Sequence, residues 1–123
     1  MQFNDTQLDA VQQFLQAGNL LAYPTEAVWG IGCDPFNETA VKQILAIKQR
    51  PIEKGMIVIT GDIAHIQPFL QPLPKQVVDS IAASWQSSDA QATTWLLPIP
   101  ASLQGKIPDW VTGGRDSLAI RVI

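Results

Sequence analysis

Three cationic side chains lie close together in the first half of the chain. Lys48, Arg50 and Lys54 fall within seven residues, at the expected end of a helix. Lysine supplies a compact positive charge and arginine a planar guanidinium that matches phosphate oxygens, so this cluster suits a phosphate-bearing ligand. A plainer interpretation is that cations favour a helix C-terminus, where the macrodipole stabilises them by about 0.3–1 kcal/mol. The residues alone leave both interpretations open.

Further polar residues lie beside predicted strands. Thr25 follows the apolar run 20–23, and ligands gather at the carboxyl ends of strands in α/β sheets. Its hydroxyl could bind a carboxylate or an amine, although a threonine after Pro24 is also an ordinary turn residue. Thr94 begins another predicted strand, where strand propensity explains it equally well. Arg121 interrupts an apolar strand; facing inward it would need an anionic partner, and facing outward it would be unremarkable.

Several familiar catalytic arrangements are missing from the sequence. There is no Walker phosphate-binding loop, and Gly30-Ile31-Gly32 lacks the third glycine of a dinucleotide fingerprint. His65 is the single histidine and Cys33 the single cysteine, so a zinc site and a disulfide framework are both excluded. An enzyme built from these residues would therefore act mainly by positioning its substrates and neutralising charge.

Composition and charge narrow the class of protein. The 123 residues suit one domain, and a hydrophobic fraction of 46% is enough for one core. The net charge is −3, which excludes an overall basic footprint for nucleic acid but not a local basic patch. The first residues do not read as a secretory signal, and no apolar run reaches the roughly 18 residues of a membrane span. We therefore expect a cytoplasmic protein with no membrane partner.

Hydrophobic periodicity predicts alternating helices and strands, and hence an α/β fold. The expected helices are 6–17, 38–48 and 75–85, and the expected strands are 20–23, 56–60, 93–97 and 117–123. Residues 27–31 fit either an extended segment or a helical turn. Residues 63–67 fit one or two helical turns broken at Pro68, and residues 99–116 read as irregular.

Two of these elements bear directly on the candidate site. In the helix 38–48, Asn37 is a good N-cap, and an apolar stripe at helical spacing continues to Lys48, which aims that lysine inward. The run 56–60 is continuously apolar, which predicts a central strand buried on both faces. The sequence stops inside its last expected strand, so we expect it to be a fragment of a longer domain.

Taken together, these residues resemble the YrdC/TsaC family, the L-threonylcarbamoyladenylate synthases. The segments that carry the resemblance are Ala22-Tyr23-Pro24-Thr25-Glu26-Ala27-Val28-Trp29-Gly30, Gly32-Cys33-Asp34-Pro35, Leu45-Ala46-Ile47-Lys48-Gln49-Arg50-Pro51, Lys54-Gly55, Thr94-Trp95-Leu96-Leu97-Pro98 and Ser117-Leu118-Ala119-Ile120-Arg121-Val122. The resemblance implies a YrdC-like twisted mixed β-sheet flanked by helices, with a large concave pocket. It also implies that residues 1–123 form the N-terminal two thirds of that domain.

The resemblance implies a nucleotidyltransferase that makes threonylcarbamoyl-AMP and pyrophosphate from ATP, bicarbonate and L-threonine. ATP is then a substrate, together with Mg²⁺, and no cofactor is tightly bound. Lys48 and Arg50 are implied as catalytic and nucleotide-binding residues, with Lys54 and Thr94 also binding the nucleotide. Thr25 and Arg121 are implied to bind threonine, and no protein metal site is implied. Partner transferase proteins would move the threonylcarbamoyl group onto tRNA.

Three other functions stay open. One is an RNA-binding module for tRNA or rRNA maturation, which the net charge of −3 disfavours. Another is an inactive fragment that retains nucleotide binding. The third is the related domain of hydrogenase-maturation carbamoyltransferases, which are long multidomain chains with zinc-finger and acylphosphatase segments that this sequence lacks.

Overall fold

The computed structural model describes residues 2–4, 6–24, 29–86 and 93–122. The α-helices in these ranges are α1 (Leu8–Gln16), α2 (Glu38–Lys48), α3 (Gln67–Leu70), α4 (Lys75–Gln86) and α5 (Asp109–Thr112). The strands are β1 (Leu21–Pro24), β2 (Trp29–Gly32), β3 (Ile57–Thr60), β4 (Trp95–Pro98) and β5 (Ser117–Val122). Short 3-10 turns lie at Ile52–Lys54, Ile63–Ile66 and Ala101–Leu103.

The described strands are divided between two sheets. Strands β1 and β2 pair antiparallel, whereas β3, β5 and β4 form a mixed sheet in that order, with β3 parallel and β4 antiparallel to β5. The predicted α/β class and the mixed sheet are confirmed. The prediction that residues 56–60 form a central strand is wrong among the described strands, because β5 is central and Ile57 is 52% exposed.

The main core lies between this mixed sheet and the helices α3 and α4. Its buried members are Ile66, Phe69, Leu70, Ile81, Leu97, Val111, Leu118 and Ile120. Two indole hydrogen bonds join α4 to β4 at the edge of the core. The Trp95 Nε1 donates to the Ser84 hydroxyl and the Trp85 Nε1 donates to the Thr93 carbonyl, each over 2.8 Å. These bonds satisfy the two polar ends of side chains that are otherwise apolar.

Helix α2 has the predicted bounds and the predicted cap. The Asn37 side chain accepts a hydrogen bond from the Ala40 N–H over 3.0 Å, and the helix ends at Lys48 before Gln49 takes a left-handed φ of 51°. The prediction that Lys48 continues the buried face is wrong, because its side chain is exposed. The buried stripe ends one turn earlier, at Leu45, since the last turn of α2 extends beyond the core.

Three other local predictions also need correction. Helix α1 is shorter than expected. For the segment predicted as either extended or helical, β2 confirms the extended alternative in the residues that are described. Pro68 does not break the helical segment, because it lies in the first turn of α3, where its missing N–H has no partner to lose. The region 99–116 is not wholly irregular, since it contains α5.

Candidate active site

The three predicted cations lie on one connection between α2 and β3. We call residues 48–55 the basic loop; Lys48 ends α2, and Lys54 ends the 3-10 turn that leads to Gly55. The side chains of Lys48 and Lys54 are exposed, and Arg50 is half-buried. The Arg50 Nε donates a hydrogen bond to the Gly55 carbonyl over 2.8 Å. The Arg50 side chain therefore reaches across the loop to its last residue.

The charges of the basic loop are not neutralised within the described part of the chain. The ion pair found there joins Lys42 to Glu38 over 2.8 Å, on the first turns of α2 and away from the loop. None of Lys48, Arg50 and Lys54 pairs with a described carboxylate. Like charges on neighbouring side chains repel one another unless an anion intervenes. The loop therefore has the charge and the exposure to receive phosphate groups.

Arg121 and Thr94 belong to neighbouring segments at one end of the mixed sheet. Arg121 lies on β5 opposite Ile59 of β3, and Trp95 of β4 lies opposite Ile120. Continuing the register of β4 by one residue places Thr94 opposite Arg121. Thr94 is exposed and Arg121 is half-buried. The extrapolated register thus places two predicted site residues, 27 positions apart in the sequence, at neighbouring ends of β4 and β5.

The basic loop and the residues Thr94 and Arg121 lie at different positions along β3. The loop ends at Gly55, just before β3, whereas Arg121 is level with Ile59, four residues further along. Four residues of extended chain span about 13 Å. An elongated ligand would be needed to touch both groups.

Tyr23 explains the Gly30-Ile31-Gly32 motif. Tyr23 pairs with Gly30 across the β1–β2 hairpin, and its ring lies over both glycines. A Cβ on Gly32 would lie 2.9 Å from the ring, and one on Gly30 would lie 3.1 Å from it. The motif is therefore a packing surface for an aromatic ring rather than a phosphate loop. Sequence reasoning missed this because the two strands meet only in the folded chain.

Tyr23 also shares an electrostatic environment with Cys33 and Arg121. Burial raises the pKa of the Tyr23 phenol, the nearby Cys33 raises it further, and the Arg121 guanidinium acts in the opposite direction. The pKa of the Cys33 thiol is raised by burial and then by the Asp34 carboxylate. Both groups are thus protonated at neutral pH, and Cys33 is poorly suited to act as a thiolate nucleophile.

A cavity of about 410 Å³ lies between the β1–β2 hairpin, α2 and β3. Its lining is mostly apolar and includes Leu21, Ile31, Val41, Ile44, Ile57 and Ile59. Lys48, Arg50 and Lys54 do not line it, so this cavity is not the predicted phosphate site. The large concave pocket that the resemblance implies stays a prediction.

Metal-ligand clusters and membrane-spanning helices are both absent from the described ranges. Residues 2–4, 6–24, 29–86 and 93–122 contain no group of three or more His, Cys, Asp or Glu side chains placed to hold a metal ion. Within the same ranges, no helix is both long and apolar enough to cross a membrane. Thr25, predicted to bind threonine, lies outside the described residues.

Comparison with known proteins shows the family. The model of the Sua5/YciO/YrdC family, described as "Telomere recombination", matches residues 13–123, and the chain belongs to that family. The threonylcarbamoyl-AMP synthase of Psychrobacter cryohalolentis is 54% identical over 115 residues, which cover 89% of this chain and 54% of the relative. The enzyme of that name from Acinetobacter baylyi is 50% identical over 110 residues, covering 88% of this chain and 56% of the relative.

Comparison with solved structures gives the same family as comparison of the sequences. The crystal structure of P. abyssi Sua5 complexed with L-threonine matches 99% of this chain and 34% of its own, with a TM-score of 0.74 and 25% identity. A variant of the same Sua5 matches with a TM-score of 0.75 and 26% identity, covering 98% of this chain and 35% of its own. The chain spans about half the length of the curated relatives it matches.

Proposed function

We propose that this chain carries the nucleotide-activating part of a threonylcarbamoyl-AMP synthase. The observation that carries the proposal is the 54% identity over 115 residues to a relative of that name, an alignment that covers 89% of this chain. The likeness to a Sua5 structure complexed with L-threonine supports threonine as the second substrate. The basic loop supports a substrate that bears phosphates, because its cations have no described carboxylate partner.

The proposed reaction joins three substrates. Bicarbonate takes up a proton and loses water to give carbon dioxide, and the neutral amine of L-threonine forms a C–N bond to that carbon and releases a proton, which gives a carbamate. A carbamate oxygen then attacks the α-phosphorus of ATP and forms a new P–O bond, while the bond from the α-phosphorus to its bridging oxygen breaks. Pyrophosphate leaves with that electron pair, and threonylcarbamoyl-AMP remains. Holding the short-lived carbamate beside the α-phosphate lets it react before it decomposes.

The basic loop is assigned to the triphosphate. Lys48, Arg50 and Lys54 would neutralise the charge that develops on the phosphate oxygens and on the leaving pyrophosphate, which is the largest electrostatic demand of the reaction. Arg50 is best suited to the reacting phosphate, since its Nε is already bound to Gly55 and the planar guanidinium is thereby oriented. Mg²⁺ would be held mainly by the triphosphate itself, as is usual for nucleotide substrates.

Thr94 and Arg121 are assigned to the other end of the ligand. In this proposal Thr94 hydrogen-bonds the nucleotide, and Arg121 and Thr25 hold the threonine carboxylate and amine. The support for placing Thr94 and Arg121 in one site is that each directly adjoins a member of the Trp95–Ile120 pair, the last pair of β4 and β5. The separation of about 13 Å along β3 fits a substrate pair that extends from a triphosphate to an amino acid.

The product is a mixed anhydride that must be consumed by a second protein. We assign that step to tRNA-modifying transferase proteins, which would move the threonylcarbamoyl group onto tRNA in the cytoplasm. Direct binding of tRNA or rRNA by this chain is not needed for the reaction, and a net charge of −3 does not favour it.

The test is pyrophosphate release from Mg-ATP in the presence of L-threonine and bicarbonate, with each co-substrate omitted in turn. The proposal predicts release only when both are present. Release without either co-substrate would indicate an ATP hydrolase and contradict the proposal. ATP binding without release under any condition would favour the inactive, nucleotide-binding alternative.

A further inference from the structure

The basic loop is in direct backbone contact with the turn that follows α5. The Met56 N–H donates a hydrogen bond to the Val111 carbonyl over 2.7 Å, which joins the end of the loop to α5. A Cβ on Gly113 would lie 2.6 Å from the Glu53 carbonyl oxygen and 2.7 Å from the Gly55 nitrogen. The two backbones therefore approach as closely as they can, with no room for a side chain between them.

The contact is built from two glycines facing each other. Gly55 has a φ of +70° and Gly113 a φ of +71°, and both values favour glycine. A Cβ on Gly55 would in turn lie 2.9 Å from the Thr112 carbonyl oxygen. Gly55 and Thr112 are both buried, so the contact is shielded from water. We call Gly55, Val111, Thr112 and Gly113 the glycine contact.

This contact leads directly to Arg50. The Gly55 carbonyl that accepts the Arg50 Nε belongs to the same residue whose nitrogen lies against Gly113. A shift of Gly55 would move the acceptor and release the guanidinium. The position of the Arg50 side chain therefore depends on a turn that lies 63 residues further along the chain.

Helix α5 also holds the other end of α2. The Trp110 Nε1 donates a hydrogen bond to the Pro35 carbonyl over 2.9 Å, in the segment that leads into the Asn37 cap. One short helix thus contacts the chain before α2 through Trp110 and the chain after α2 through Val111 and Gly113. Both ends of the helix that presents Lys48 are fixed to the same element.

We propose that Gly113 is a positioning residue that holds the basic loop through the glycine contact. Its position determines where Arg50 and Lys54 meet the substrate phosphates. Gly113 touches no substrate in this proposal and acts through Gly55. The effect on nucleotide binding rests on the proposed function, whereas the effect on the conformation of the loop does not.

Gly114 supplies a matched control. It follows Gly113 directly and has a φ of +78°, but a Cβ there would meet nothing within 4 Å. Gly113→Ala and Gly114→Ala therefore carry a similar backbone strain, and only Gly113→Ala pushes against the loop. Any difference in cleavage rate or ATP affinity between the two variants is therefore due to the clash of the new Cβ with the basic loop and not to backbone strain.

The experiment measures the loop and the ligand separately. Trypsin cleavage after Lys54, told apart from cleavage after Lys48 by fragment mass, reports access to the loop; Arg50 precedes a proline and resists cleavage. We expect Gly113→Ala to be cut after Lys54 at least about tenfold faster than Gly114→Ala, and its Kd for Mg-ATP to rise by about the same factor at a comparable Tm. Equal cleavage rates in the two variants would overturn the proposal.

Two further outcomes are informative. If the wild-type chain binds no Mg-ATP, the proposed function fails, but the cleavage comparison still decides whether Gly113 positions the loop. If Gly113→Ala does not fold, hydrogen exchange in the wild-type chain replaces it. The Met56 amide should then exchange as slowly as the amides of β5, and exchange at the rate of exposed amides would overturn the proposal.

Discussion

The Arg50 Nε donates a hydrogen bond to the Gly55 carbonyl oxygen over 2.8 Å, across a loop that also carries Lys48 and Lys54. A surface arginine would normally sample many rotamers, and ordering it at the moment of binding costs free energy. Here the guanidinium is partly ordered before any ligand arrives. We therefore expect a phosphate bound at this loop to require less ordering of Arg50 than one bound at a basic helix end without such a bond.

Arg50→Lys keeps the positive charge but removes the Nε donor. A hydrogen bond to a charged group contributes about 1.5–3 kcal/mol, so we expect the Kd for Mg-ATP to rise about tenfold or more. Arg50→Ala, which removes the charge as well, should weaken binding further. Calorimetric titration measures both, and Arg115→Lys, at an exposed arginine outside the loop, is the control. Wild-type affinity in Arg50→Lys would show that the bond to Gly55 has no part in binding.

Lys48→Ala should reduce turnover by about tenfold or more, because one charge-assisted contact to phosphate is lost. Lys42→Ala is the matched control, since Lys42 lies on the same helix and is also exposed but is paired with Glu38. The initial rate of pyrophosphate release compares them. Equal rates in the two variants would remove Lys48 from the site.

Gly32→Ala should destabilise the β1–β2 hairpin, because the new Cβ would lie 2.9 Å from the Tyr23 ring. Overpacking of this kind typically costs about 1–3 kcal/mol of unfolding free energy. Gly61→Ala is the control, since a Cβ there meets nothing within 4 Å. Urea unfolding measures both variants. An unchanged free energy of unfolding in Gly32→Ala would mean that the Tyr23 ring does not pack on β2.

Cys33 should react slowly with iodoacetamide at neutral pH. Burial and then the Asp34 carboxylate raise the pKa of its thiol, so less of the reactive thiolate is present at any given pH than in an unhindered cysteine. Asp34→Asn removes the effect of the carboxylate but not that of burial. The pH at which the alkylation rate is half-maximal should therefore fall, but not as far as that of an unhindered cysteine. A midpoint that Asp34→Asn leaves unchanged would contradict this account of the environment.

Binding of tRNA at physiological salt should be weak. The chain carries a net charge of −3, and the three cations of the basic loop are assigned to ATP. Fluorescence anisotropy with labelled tRNA measures the affinity over a series of salt concentrations. Tight binding with a steep fall in affinity as salt rises would favour the RNA-binding alternative instead.

Features that depend on neighbouring residues could be predicted from the sequence. The bounds and cap of α2 follow from Asn37 and the apolar stripe, and the strand at 117–122 follows from alternation. Features that depend on distant residues could not. The helical period showed which face of α2 is apolar, but not that the core ends before Lys48. The apolar run 56–60 showed a strand, but not that this strand would lie at the edge of the described mixed sheet with Ile57 exposed.

In the candidate site, too, the features that depend on neighbouring residues could be predicted and those that depend on distant residues could not. The grouping of Lys48, Arg50 and Lys54 is visible in the sequence because one connection carries all three. The neighbouring positions of Thr94 and Arg121, and the contact of Gly55 with Gly113, are products of strand pairing and tertiary packing. No pattern within a window of the sequence reports them. A glycine with positive φ looks the same in a sequence whether it faces another backbone or open solvent.

The most direct test of the central claim is the fate of the bicarbonate carbon. The chain is incubated with Mg-ATP, L-threonine and carbon-13 bicarbonate, and the products are separated and identified by mass spectrometry. The account predicts an adenylate that contains threonine and the labelled carbon, formed in step with pyrophosphate. Pyrophosphate accompanied only by unlabelled AMP, or the absence of any labelled adenylate, would contradict it.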